Sequence, residues 1–142
     1  MSPHSMIKLS PCTNEFGRDR LAVAESYIEA AETITESEDV LPAATRFKNN
    51  TIVTNFVHGG IAASDAICCF ELKARSKGDD HRQAVAQIRK ARGGASLAKA
   101  LDDLLHLKTK AGYGAKPLSD TDVKRARRAA DKLVQAARER RQ

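Results

Sequence analysis

The sequence predicts an all-α protein, a single up-and-down-like bundle of about five helices. Apolar residues recur every three or four positions in several long segments, which is the spacing of a helical face. No stretch alternates as a half-buried strand does. Only 4% of the residues are aromatic and Trp is absent. The core must therefore be aliphatic and Ala-rich, which suits close-packed helices better than a sheet. A chain of 142 residues is one domain by the usual prior, and it can bury a core without metal or disulfide staples.

Residues 1–17 carry two prolines and little periodicity, and they read as a flexible N-terminal arm ahead of a bundle over 18–142. The first helix is expected from about Asp19 to Ser37. Leu21, Ala24, Ile28, Ala31 and Ile34 form its apolar stripe, and Glu25, Glu29, Glu32 and Glu36 its acidic side. Residues 38–46 form a connection around Pro42. A second helix follows, roughly Phe47 to Ala74. It is apolar nearly all round, so it belongs at a domain centre or a subunit interface. Gly59 and Gly60 each weaken it by about 1 kcal/mol relative to Ala. Close approach of a partner helix would compensate, so the pair predicts a crossing point.

Gly78 ends that helix, and Asp79 or Asp80 is placed to cap the next. The third helix runs from about His81 to Ala91 and breaks at Gly93 and Gly94. The fourth, about Leu97 to Lys110, turns Leu97, Leu101, Leu104 and Leu105 inward. After the turn 111–118, Ser119 and Asp122 form a capping-box pattern with Asp in place of Glu or Gln. The last helix, Asp120 to Arg140, buries Val123, Ala126, Ala130, Leu133 and Ala137. Its other positions carry Lys124, Arg125, Arg127, Arg128, Lys132, Arg138, Arg140 and, just beyond, Arg141.

The net charge of +6 conceals an asymmetry. Residues 1–70 carry −4 and residues 71–142 carry +10. A basic half fits a polyanionic partner, nucleic acid first. A solvated helix face, or acidic and basic halves docking in a dimer, accounts for it equally. No apolar run approaches the ~20 residues that span a bilayer, and the N-terminus lacks the layout of a signal peptide. Cys12, Cys68 and Cys69 read as small buried hydrophobes in a reducing compartment, since the adjacent pair cannot readily bridge itself. The expected location is cytoplasmic. No zinc-ligand spacing, phosphate loop, dinucleotide fingerprint or nucleophile motif occurs, so no metal or cofactor is expected.

Two segments carry a family resemblance. His58-Gly-Gly-Ile-Ala-Ala-Ser-Asp-Ala66, followed by Gly78-Asp-Asp-His81, looks like a long second helix with an FHAA-type start and a short loop ending in His. Leu104-Leu-His-Leu-Lys-Thr-Lys-Ala-Gly-Tyr113, followed by Ser119, looks like an LRxxADY segment, with Lys108 at the Arg position. In order and spacing, over about residues 19–137, the chain resembles the HEPN superfamily of small helical nucleotide-binding domains. The resemblance implies either a metal-independent ribonuclease of stress, defence or toxin–antitoxin type, or a non-catalytic module that partners a nucleotidyltransferase or another chain. It also implies a homodimer, expected here through the second helix and its neighbours. Family nucleases use an Arg followed four to six residues later by a His. Arg75 and His81 have that spacing, although the family motif usually lies nearer the later helices. That region here offers His106 and Lys108.

An aspartate inside an apolar helix is costly to bury unpaired, which draws attention to Asp65. A fold-back at Gly78 would bring His81 toward it, and His58 lies two turns earlier on the same face. In a catalytic reading Asp65 orients His81, His81 is the acid or base, and Arg75 holds developing phosphorane charge, with Arg82 the neighbouring candidate. In the alternative, Asp65 and His81 form a buried polar lock. Lys108 and Lys110 would touch phosphate and Tyr113 would stack a base; alternatively, Tyr113 packs against the second helix. His106, among leucines, reads as packing.

Overall fold

The computed structural model of the chain describes residues 8–38, 45–77 and 80–141. Five helices dominate: α1 (Asn14–Glu36), α2 (Lys48–Leu72), α3 (His81–Ile88), α4 (Gly94–Tyr113) and α5 (Asp120–Arg140). The all-α bundle is as the periodicity predicts, and so are the order and approximate extent of its helices. Pro42, Gly78 and Asp79, to which the sequence assigns turns or a cap, lie outside the described residues.

Helix α2 is the centre. It packs against α1, α4 and α5, and residues from Ile52 to Phe70 are buried on nearly every side. Of the two positions that the sequence allows for this helix, domain centre or subunit interface, its burial is that of a domain centre. By length and composition α2 is apolar enough to cross a membrane, contrary to the sequence expectation. Yet 72% of its most apolar window is buried within the bundle, the pattern of a core helix.

Gly59 and Gly60 mark the crossings. A Cβ on Gly59 would lie 2.8 Å from Ile28 Cδ1 of α1, and one on Gly60 would run into Leu104 Cδ1 of α4. The two glycines thus let α2 approach a different partner on each side. Asn50, buried near the start of α2, accepts from Leu118 N at 2.9 Å and donates to Lys116 O at 3.2 Å. Those bonds fasten the α4–α5 connection to the core.

The N-terminal segment departs from the expected arm. Leu9–Pro11 (β1) pairs antiparallel with Ala74–Ser76 (β2), with Ser10 opposite Arg75. Thr13 Oγ1 then caps α1 by accepting from Phe16 N at 3.0 Å, so the helix begins at Asn14 rather than near Asp19. Three residues per strand are too few to show alternation, so nothing in the sequence pattern announced them. Helix α2 correspondingly stops at Leu72. Lys73 adopts a left-handed conformation (φ 58°) as its C-cap, and the chain turns into β2.

A disulfide joins Cys12 to Cys69, 57 residues apart, with Cα atoms 5.3 Å from each other. This corrects the expectation of three free thiols. Adjacency disfavours only a Cys68–Cys69 bond, whereas the ladder between β1 and β2 delivers Cys12 to the side of α2. Cys68 remains free and buried.

Candidate functional site

Asp80 caps α3, accepting from Arg82 N at 2.9 Å, so His81 is the first residue of that helix. The helix itself is held down by Gln87, whose buried side chain donates to Ala74 O of β2 at 2.8 Å. His81 is thereby set, half-buried, at a junction of two hollows. One is a small pocket of about 110 Å³ between α2, α3 and α4, where His81 meets Ser64, Asp65, Asp80 and Lys108. The other is an open groove of about 720 Å³ between α3 and α4. Arg82 and Arg89 line one wall of the groove, and His106, Thr109 and Lys110 the other.

The structure brings five predicted residues together around this junction: Asp65 and Lys108 in the pocket, Arg82 and Lys110 in the groove, and His81 common to both. It does not join Asp65 to His81. Asp65 is instead held by Arg20, whose Nε donates to Oδ2 at 3.2 Å, and by Arg75 Nη1 at 3.8 Å. Neither the orienting bond nor the His–Asp polar lock is present. Burial pushes the Asp65 carboxyl up, and the charges of Arg20 and Arg75 with the Arg20 hydrogen bond pull it back only in part.

Arg75 serves that carboxylate from β2. Its guanidinium also stacks over Phe16, 4.9 Å from the ring centroid, beside a separate hollow formed with Ser10, Pro11, Cys12 and Thr13. It lines neither the α3–α4 groove nor the pocket that holds His81, although the Asp65 carboxylate it touches lies on the wall of that pocket. His58 does not converge with His81 either. Its ring lies 5.3 Å from that of Tyr27 on α1, and burial, then the charge of Lys108, lowers its pKa. The side chain of Tyr113, at the end of α4, lies outside the described residues.

Two participants were missed. Arg20 sits beside Leu21 on the buried edge of α1; an intrahelical aspartate demands a cation, and that demand was its signal. His106, which the sequence predicts to pack among leucines, instead has a side chain 78% exposed on the groove wall. Its Nδ1 lies 2.8 Å from Asp102 O, which leaves Nε2 for the groove. Among its leucine neighbours only the helical phase separates an inward from an outward side chain, and residue 106 falls outward while Leu105 and Leu107 are buried. Lys110 is partly engaged, 3.5 Å from Asp122, which itself completes the predicted capping box with Ser119.

Comparison of the chain with protein-family models, curated proteins and solved structures found no match.

Proposed function

We propose that the α3–α4 groove binds RNA and that His81 drives metal-independent cleavage of its backbone. The observation that carries this reading is the placement of a half-buried imidazole between a cation-bearing pocket and a groove walled by Arg82, Arg89, Lys110 and a second imidazole, His106. In the reaction, the His81 imidazole takes the proton of a ribose 2′-OH. The freed oxygen attacks the adjacent phosphorus, a P–O bond forms, and the bond to the 5′-oxygen breaks. His106, as imidazolium, protonates that leaving oxygen. The products are a 2′,3′-cyclic phosphate and a 5′-hydroxyl end. Arg82 and Lys108 supply positive charge to the non-bridging oxygens as the phosphorane develops. Asp65, held by Arg20, forms part of the pocket wall, and Arg75 takes no part at the phosphorus.

A second reading has its own support. The arginine that the family resemblance singles out is paired with a carboxylate, stacks on Phe16 and does not line the groove. A non-catalytic module pairing with a nucleotidyltransferase or another chain would keep that arrangement. Homodimerisation remains part of the proposal on the resemblance alone, through faces other than that of α2. As for location, the Cys12–Cys69 bond counts against a reducing cytoplasm.

The deciding experiment incubates single-stranded and structured RNAs in EDTA with wild-type protein, His81→Ala and His106→Ala. Cleavage that requires both imidazoles and leaves cyclic phosphate ends supports the nuclease. Equal cleavage by wild type and His81→Ala, or none by any protein, overturns it in favour of the module.

A further inference from the structure

The cations of α5 fall into two sets. One faces the acidic side of α1 and the end of α2: Arg127 Nε lies 2.8 Å from Glu32, Arg138 Nη2 3.1 Å from Glu25, and Arg140 Nε 3.2 Å from Glu71. Two of these pairs, those to Glu32 and Glu25, join the acidic first half of the sequence to its basic second half inside one chain. The other set is Lys124, Arg125, Arg128 and Lys132. All four are exposed, and none has an ion-pair partner among the described residues. They share one exposed face of α5, and Arg125, Arg128 and Lys132 border α4.

Arg125, Arg128 and Lys132 line a shallow hollow of about 330 Å³ between α4 and α5, with Lys99 on its far side. Lys99 is paired with Asp103 in the next turn, so the three α5 cations give the hollow a net positive charge. Lys124 to Lys132 spans about 12 Å along the helix, room for two or three successive phosphates of an extended strand. The hollow also borders the exposed ridge of α4 whose other flank, with His106 and Lys110, walls the groove.

We infer that the unpaired strip Lys124, Arg125, Arg128 and Lys132 is a second nucleic-acid contact, which holds the phosphate backbone of the strand whose neighbouring nucleotides enter the α3–α4 groove. The inference rests on the proposed action on RNA and adds where the rest of the strand lies. The strip reads charge, not bases. Clustered, unneutralised guanidinium and ammonium groups beside a hollow release counterions when phosphates replace them. An acidic face of a second protein copy is the competing occupant.

The test measures binding of a fluorescent oligouridylate of about 20 nucleotides by anisotropy over a range of KCl, with cleavage followed in the same samples. Compared are wild type, the triple variant Arg125→Gln/Arg128→Gln/Lys132→Gln, His81→Ala, and a charge-matched control, Lys77→Gln/Lys90→Gln/Lys116→Gln. Circular dichroism confirms that each is folded. The triple variant is expected to lose at least about tenfold in affinity, and its salt slope to fall by about 2, given about 0.7 per phosphate contact on a single strand. His81→Ala, which leaves the strip intact, should not reproduce the loss of salt slope seen in the triple variant. Wild-type affinity and slope in the triple variant, an equal loss in the control, or no binding by wild type would each overturn the strip. So would salt-sensitive self-association that the triple variant abolishes while RNA binding is unchanged. Persistent cleavage by His81→Ala would instead remove the catalytic reading and leave the strip standing.

Discussion

Arg20 Nε donates to Asp65 Oδ2 at 3.2 Å and so ties α1 to the middle of α2. The aspartate is 17% exposed and the arginine 28%, between the limits of a surface pair and a buried one. Because burial outweighs the two arginines, the folded protein keeps a proton on Asp65 to higher pH than the unfolded chain does. The contribution of that protonation is complete below the ordinary carboxylate range and is lost as pH rises through the raised value. Above that value the carboxylate is charged and depends on Arg20. Arg20→Gln is therefore expected to destabilise by about 1–2 kcal/mol at neutral pH, and by progressively less as the medium is acidified. Urea unfolding at several pH values measures this. A deficit that does not shrink in acid would show that Arg20 acts through packing alone.

The disulfide closes a loop of 57 residues and holds β1 against β2. Loop-closure entropy for that length corresponds to about 4 kcal/mol. Cys12→Ser should lower the unfolding free energy by an amount of that order and expose the β1–β2 ladder to rapid amide exchange. Cys68 takes no part in the bond, and burial first, then the nearby carboxylates of Asp65 and Glu71, push its thiol up to about 12. Alkylation of the native protein at mildly alkaline pH should leave Cys68 unmodified. Labelling of Cys68 without unfolding would contradict this.

Gly60 is the point of closest approach between α2 and α4. Alanine there gains about 1 kcal/mol of helix propensity but must displace Leu104, which is wholly buried. Overpacking of this kind typically costs about 1–3 kcal/mol, so Gly60→Ala should be net destabilising. In a Leu104→Ala background the obstruction is gone, and the same substitution should become neutral or stabilising. Thermal or urea unfolding of the four-member cycle decides it; the same loss in both backgrounds would rule out the contact.

These relationships were legible to different degrees. The Gly59–Gly60 pair was readable because two adjacent glycines in an apolar helix have few other uses. The Ser119–Asp122 box and the Asp80 cap were readable because capping is local chemistry. Helix α2 announced its central position through apolar residues on every side. The ion pair from Arg20 to Asp65 spans 45 positions, and no local pattern selects one cation among 24. The Asp–His pairing supposed from chain proximity gave way to it because a guanidinium, always charged, neutralises a buried carboxylate. The Cys12–Cys69 bond was hidden for the same reason, since a three-residue ladder determines which cysteines meet.

His58 offers a direct report on the pocket. Its pKa is lowered by burial first and by the charge of Lys108 second, and Lys108 lines the pocket that holds His81. An anion bound beside Lys108 offsets that charge and must raise the His58 pKa. Two-dimensional NMR of the imidazole signals, recorded through a pH titration, should show His58 moving upward when inorganic phosphate or a uridine 3′-phosphate is added. In Lys108→Gln the starting value should already be higher, and the increment from phosphate smaller. Should His58 titrate identically with and without the ligand while Lys108→Gln still raises it, the pocket does not take phosphate. The phosphate-stabilising role assigned to Lys108 would then fall, whatever the groove binds.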